Sequence, residues 1–576
     1  MKNNRCRKEM LSAARGDIPC DVVIKDVKIV DVFGCRIVEG SIGIFNGYIV
    51  GIGDYRGREE IVLRGKYVCP AFIEGHIHIE STMLNPVEFA RVVGRRGTQA
   101  VVADPHEIAN VYGREGIEWL IACSRHLPVE IFFMAPSCVP ATDMETAGGR
   151  ITQEDIRFLY EHYPSRVLGL GEVMNFPAVI EGSEDIWRKL EISRGKIIDG
   201  HSPTLGGKGL NAYLMGGCKS DHECISTEEA EEKLSKGMHI FARNGSTERN
   251  LPALVPAISP YNSENFSLVT DDRHPLELMT SGHMDYNIKE AISLGVPSLV
   301  AIKMATINPA RYFGLQDMGA IAPGFKASFV VLSELSSSFE IEQVYLKGRP
   351  FEDWDFTPSI SQPLLPPISR ISLTPSSLVL KRKQDSDRVH VIGLVPGSIV
   401  TKKIIMPIEE ACHIEEDILY PRVEKDISKV VVAERHRGTG NISIGLVRGF
   451  GIKNGALASS VAHDSHNFIA VGSSDEDILL ALEELNQSGG GLVVIKEKKT
   501  MAHLPLSIGG LMSVKGAEEV AEEERNILKA ASLVGDIISH PFMYLSFLAL
   551  PVIPELKITD RGLVDVQSFS FVDLCI

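Results

Sequence analysis

The chain has 576 residues, 44% of them hydrophobic and 23% charged, with a formal net charge of -16. At about 150 residues per folding unit this describes a globular protein of several domains, neither disordered nor membrane-embedded. The acidic balance argues against a nucleic-acid partner, which needs clustered Lys and Arg, and leaves a small uncharged or cationic substrate as the easier fit.

Residues 1–19 are basic but lack the apolar run of a secretory signal. Residues 21–68 carry short runs (Val22-Val-Ile, Lys28-Ile-Val, Ser41-Ile-Gly-Ile, Tyr48-Ile-Val) separated by Gly, Asn and Asp, the texture of antiparallel strands with tight turns. From 69 to 314 apolar runs alternate with helical stretches. Strands are expected near 68–73, 99–103, 129–134, 167–170, 196–198, 217–219, 238–242 and 266–269. Eight such units predict an α/β fold built on a closed (β/α)₈ barrel, with reactive groups at the carboxyl ends of its strands.

The β texture returns at 321–332 and 342–347. The expected organisation is therefore a composite β domain from 1–68 and 315–357 around a barrel at 69–314, then a Pro-rich linker at 358–368 and a C-terminal α+β domain at 369–576. Ser488-Gly-Gly-Gly491 lacks the Lys-Ser/Thr continuation of a phosphate loop and reads as a turn entering a strand. The apolar stretch 543–553 is broken by Pro551 and falls short of the ~20 residues that span a bilayer. Ten scattered cysteines form no C-x-x-C pair, so reduced thiols, a cytoplasmic location and no membrane partner are expected.

The chemistry begins at Cys69-Pro-Ala-Phe-Ile-Glu-Gly-His76-Ile-His78-Ile-Glu80-Ser81, where strand alternation turns His76 and His78 to one side. Later strand ends carry Asp104, Glu172, His201, His222, Arg243 and Asp271. Singly, each has an ordinary role: Glu172 as a helix-start carboxylate, His201 as a turn residue, His222 as an exposed ring, Asp271 and Asp272 as caps. Together they supply His, His, Glu, His, His and Asp at successive strand ends, a nitrogen and carboxylate set suited to Mn²⁺, Fe²⁺ or Zn²⁺. The H-x-E of His78-Ile-Glu80 also occurs in cytidine-type zinc deaminases, but the P-C-x-x-C they require is missing.

That order of ligands resembles the amidohydrolase superfamily of metal-dependent barrel hydrolases. Glu74-Gly-His-Ile-His-Ile-Glu-Ser81, Asp104-Pro-His-Glu-Ile-Ala-Asn110, Ala135-Pro-Ser-Cys-Val-Pro-Ala-Thr142 and Thr270-Asp-Asp-Arg-His-Pro275 resemble the adenine deaminase family specifically. So do Gly440-Asn-Ile-Ser-Ile-Gly-Leu-Val-Arg-Gly-Phe-Gly451 and Ser459-Ser-Val-Ala-His-Asp-Ser-His-Asn467. Ala327-Ser328, where the superfamily has Ala-Asp, and Ile73-Glu74-Gly75, where it has Ile-Asp-Ala or Ile-Asp-Thr, depart from the pattern.

The resemblance implies hydrolytic deamination of adenine to hypoxanthine and ammonia in purine salvage, by water activated at a binuclear manganese or iron centre, with zinc allowed. His76, His78 and Asp271 would hold one ion and His201 and His222 the other, with Glu172 bridging. Asp271 would also move protons. Glu223 is the first candidate for the acid at the ring nitrogen, or else it orients His222, and Glu80 carries the same ambiguity. Asp272, Ser281 and His283 are candidate substrate contacts. His106 is expected on a loop over the substrate, and His436, His463 and His466 at an accessory metal site, a lid contact or a structural turn. A homodimer is expected. The alternatives are an amidohydrolase acting on another purine or a cyclic amide, and a barrel scaffold without activity.

Overall fold

The computed structural model describes residues 2–356, 371 and 373–576, so the predicted linker at 358–368 lies outside the described residues. Eight parallel strands surround the centre: β1 (Phe72–Ile77), β2 (Thr98–Ala103), β3 (Glu130–Ala135), β4 (Val167–Val173), β5 (Ile197–Gly200), β6 (Ser220–Asp221), β7 (His239–Arg243) and β8 (Phe266–Val269). β1 to β5 pair in chain order, as do β6 to β8. The Lys219 amide donates to the Ile198 carbonyl at 3.0 Å, and the Asp271 amide to the His76 carbonyl at 3.0 Å, so the two runs meet at both seams. This is the expected (β/α)₈ barrel. Ile73, Ala100, Val102, Phe132, Met134, Phe241 and Val269 pack together, each on the amino-terminal side of its strand's polar end. The sequence therefore stacks an apolar plug beneath a polar mouth.

Two strand boundaries differ from expectation. The run predicted at 68–73 is divided: Tyr67–Pro70 belongs to an outer sheet, and the barrel strand begins at Phe72. Pro70 has no N–H to continue a ladder, and at Ala71 the chain changes partners, its amide reaching Ser328 while that of Phe72 reaches Gly97. The sixth strand begins at Ser220 rather than 217, because Gly217 at φ +102° still belongs to the preceding turn.

In the outer sheet the predicted runs at 22–24 and 28–30 are one strand, Cys20–Asp31, with a bulge between Ile24 and Val27. It pairs antiparallel with Arg36–Phe45 but parallel with Gly57–Val62 and Tyr67–Pro70. Phe329–Leu332, after the barrel, pairs with Tyr67–Pro70, before it.

A second eight-stranded sheet follows, flanked by helices Asp475–Ser488 and Ala517–Ala531. The first helix ends at Gly489, φ +80°, and Gly491 opens a strand, so 488–491 is a turn. This C-terminal region sits on the barrel: Asn467 Nδ2 donates to the Thr146 carbonyl at 2.9 Å and Thr559 Oγ1 to the Met144 carbonyl at 2.7 Å. Among the described residues no helix is long and apolar enough to cross a membrane.

Lys557 is buried here and donates to the carbonyls of Ile399 and Phe547, both at 2.9 Å. Burial pulls its ammonium group down to about 7. An unfolded lysine titrates near ~10.4, so from about pH 7 to 10 the unfolded chain binds the extra proton and stability at this position rises with pH. Lys557→Met should flatten that rise, worth at most about 1.4 kcal/mol per pH unit, in denaturant unfolding between about pH 7 and 9.5. An unchanged slope in the variant would show that Lys557 is not the titrating group.

Candidate metal centre

Glu74, fully buried in β1, organises the first ligands. Its Oε1 accepts the His76 amide at 3.0 Å, while its Oε2 accepts the Thr270 amide at 3.0 Å and the Thr270 hydroxyl at 2.8 Å, next to Asp271. His78 Nδ1 lies 3.0 Å from the Asp104 carbonyl, a contact that puts the proton on Nδ1 and leaves the Nε2 lone pair facing inward. That Nε2 is 3.2 Å from Asp271 Oδ1 and 3.3 Å from Glu172 Oε1. His76 Nε2 is 3.5 Å from the same Asp271 oxygen and has no hydrogen-bond partner.

The other half of the site faces the second oxygen of Glu172. Glu172 Oε2 lies 2.6 Å from His201 Nδ1 and 3.1 Å from His222 Nε2. Asp104 fixes the Glu172 amide at 2.9 Å, and the Tyr213 hydroxyl accepts the His201 amide at 2.9 Å. Asp271 adopts φ +59°, a left-handed conformation that Asp tolerates better than most residues. The six side chains form overlapping groups of ligand-type atoms, and all but His76 line one pocket.

The donor set fits a divalent metal. Ligand atoms about 2.0–2.2 Å from a shared ion stand roughly 3 to 3.5 Å apart, the separations found here except between His201 and Glu172, which at 2.6 Å are at hydrogen-bond distance. With the His78 proton committed to a carbonyl, lone pairs on Nε2 and two carboxylates face one another, and a cation between them satisfies all three.

Arg243, at the end of β7, is buried among carboxylates. Its Nη1 donates to Asp271 Oδ2 at 2.8 Å and also to Glu223 Oε1, and its Nη2 to Glu223 Oε2 at 2.9 Å. Burial alone would raise the Glu223 carboxyl, but Arg243 and the neighbouring imidazoles outweigh it and hold the group well below its usual range. Glu248, 3.6 Å from Arg243 Nη2, goes the other way, and burial pushes it up to about 7.

The remaining candidates separate. Asp272, His106 and His463 line the pocket. His106 opens a helix, His106–Tyr112, instead of lying on a loop, and its Nδ1 is 3.3 Å from Glu172 Oε1. Glu80 faces the Ile108 amide at 3.0 Å, outside the pocket lining. Ser281 is exposed at a helix end, and His283 turns away to Thr98 and Glu74, at 2.9 and 3.3 Å; neither reaches the pocket. His436 is tied to the Ser465 carbonyl at 2.6 Å. Glu107, His463 and His466 form a compact buried trio. His466 Nδ1 accepts the Ala462 amide at 3.2 Å, which puts its proton on Nε2 as a donor rather than a ligand.

Sequence reasoning missed Glu248, Ile399, Asp464, Phe547, Leu550, Val552 and Ile553, all of which line the same pocket. Most come from the C-terminal region, and no spacing in the chain connects them to the barrel's strand ends.

A metal-fitting set at the mouth of a parallel barrel defines a hydrolase of the amidohydrolase class, and residues 67–351 match the amidohydrolase family. Residues 398–570 match the adenine deaminase C-terminal domain. The chain is 43% identical to adenine deaminase 2 of Carboxydothermus hydrogenoformans, covering 98% of this chain and 99% of the relative. It is 42% identical to adenine deaminases of Oleidesulfovibrio alaskensis (100% of both chains) and Halalkalibacterium halodurans (99% of this chain, 98% of the relative). The chain belongs to the adenine deaminase family.

Removing metal with a chelator should lower the melting temperature and re-addition should restore it, since a ligand at 1,000 times its Kd contributes about 4 kcal/mol to the folded state. Glu172→Gln should carry less metal than wild type by elemental analysis. Full retention of metal in that variant would show that the carboxylate is not a ligand.

Proposed function

We propose that the chain catalyses hydrolytic deamination of adenine to hypoxanthine and ammonia, in purine salvage, and that it does so as a cytoplasmic homodimer. In this reading His76, His78 and Asp271 would hold one divalent ion and His201 and His222 a second, with Glu172 shared between them. Mn²⁺ or Fe²⁺ is the expected metal, and Zn²⁺ suits the same donors. One observation carries the reading: a full-length likeness to adenine deaminases in a chain whose six ligand-type side chains cluster at the barrel mouth.

Divalent ions held there would make water acidic enough to serve as a nucleophile near neutral pH. Asp271 is positioned for proton transfer, with Oδ2 fixed by Arg243 and Oδ1 facing His76 and His78. It takes one proton of the water that attacks C6 and delivers it to the amine, so that the C6–N bond breaks and ammonia leaves, while the second water proton departs from the C6 oxygen as the carbonyl forms and restores the acid that protonated the ring. Glu223, ionised against Arg243, is a poor acid and acts as the counter-charge that positions the guanidinium. Glu248 carries a proton near neutral pH and is the better donor to the ring nitrogen. Ile399, Phe547, Leu550, Val552 and Ile553 give the pocket an apolar face suited to a flat heteroaromatic ring.

Metal-loaded wild type should release ammonia from adenine, and a protein that releases none would overturn the reaction. Asp271→Asn should fold normally and lose at least about a hundredfold in kcat. Since Glu248 donates only while protonated, activity should fall as pH rises past about 7, and Glu248→Gln should have low activity and lack that descending limb. Near-normal turnover in Glu248→Gln would remove it from the mechanism.

A further inference from the structure

The barrel accounts for only part of the pocket. Ile399, His463, Asp464, Phe547, Leu550, Val552 and Ile553 also line it, and all fall within the segment that matches the adenine deaminase C-terminal domain. Asp464 is the carboxylate in that group. It is 2% exposed, and its Oδ2 has no hydrogen-bond partner. Its Oδ1 lies 3.5 Å from His463 Nδ1 and 3.9 Å from His106 Nε2. The His463 ring stacks on Phe547 at 4.6 Å, and the His463 amide donates to Ser546 Oγ at 3.3 Å, so the loop carrying Asp464 is fixed in place.

A buried carboxylate oxygen without a donor costs free energy unless a ligand supplies one. Of the other carboxylates lining the pocket, Glu172 and Asp271 face imidazoles, and Glu223 and Glu248 face Arg243. Asp272 Oδ1 is also without a partner, but Asp272 follows Asp271 at the end of β8. In a purine docked with C6 at Asp271, N9 of the five-membered ring would lie at the far edge of the base, for which the C-terminal lining supplies an unpaired acceptor in Asp464. Free adenine carries one N–H on that ring. A nucleoside has a carbon substituent at N9 in its place, so the same carboxylate would lose its donor and remain buried unpaired.

We propose that Asp464 accepts the ring N–H of the free purine base and so makes the site select the base over N9-substituted purines. This rests on the adenine reading above. The discrimination has a chemical cause, because a site built to hydrogen-bond a donor rejects analogues lacking it far more strongly than a merely shaped pocket does.

The test uses full-length, metal-loaded protein as wild type, Asp464→Asn and Asp464→Ala, with adenine as substrate and 9-methyladenine as inhibitor. The variants should keep their metal content and hold kcat within about threefold while KM for adenine rises about tenfold or more, the loss expected for a charge-assisted hydrogen bond. The inhibition constant of 9-methyladenine should not rise in either variant and should fall in Asp464→Ala, because that substitution removes the carboxylate the methylated base would leave buried and unpaired. An unchanged KM for adenine would overturn the proposal, as would adenine and 9-methyladenine weakening together, the pattern of a merely structural residue. Calorimetric binding of both compounds gives the same comparison without turnover. A wild type that binds adenine but releases no ammonia would therefore end the deaminase reading while leaving Asp464 open to judgement.

Discussion

Side chains from five strand ends converge on one pocket only if the barrel closes, and the closing seam is tied by Glu74. Buried between β1 and β8, its carboxylate accepts the His76 amide on one oxygen and the Thr270 amide and hydroxyl on the other. These residues lie 196 positions apart in the chain, so no local preference brings them together. Once they meet, His76 and Asp271 are set by backbone hydrogen bonds before their own side chains make any contact. The Asp271 amide to His76 carbonyl bond completes the seam.

The resulting pocket concentrates negative charge where water is scarce. Glu172, Asp271 and Glu223 are all ionised and buried, with Arg243 as the guanidinium that contacts two of them. Burying unpaired charge is costly, so these carboxylates need cationic partners, supplied by protons on His78 and His222, which against the effect of burial the carboxylates pull well above the usual imidazole range, or by a metal in their place. The same reasoning assigns different tasks to similar groups. Glu223, fixed by a guanidinium on both oxygens, is held ionised, while Glu248, more distant from the same arginine, is held nearer its neutral form.

The barrel and its strand-end residues were legible because hydrophobic periodicity and polar strand ends are local signals. Strand boundaries were less so: a proline and a change of partner sheet at Ala71 divided an apolar run that looked continuous, and a bulge joined two runs that looked separate. Ser281 and His283 illustrate the limit of sequence proximity. They follow Asp271 closely in the chain, yet the intervening helix Pro275–Thr280 carries them behind the barrel wall, where His283 serves the Glu74 seam instead of the pocket. Asp464 illustrates the converse, since a residue far along the chain lines the same cavity through tertiary packing alone.

The cavity's lining is also divided in time. Every barrel-derived ligand has been synthesised by Asp271, whereas Ile399, Asp464 and Phe547 follow much later in the chain. At elongation rates of ~5–20 residues per second, the interval before Asp464 emerges is on the order of ten seconds. The C-terminal segment is thus the last part of the chain to reach the pocket whose lining it completes.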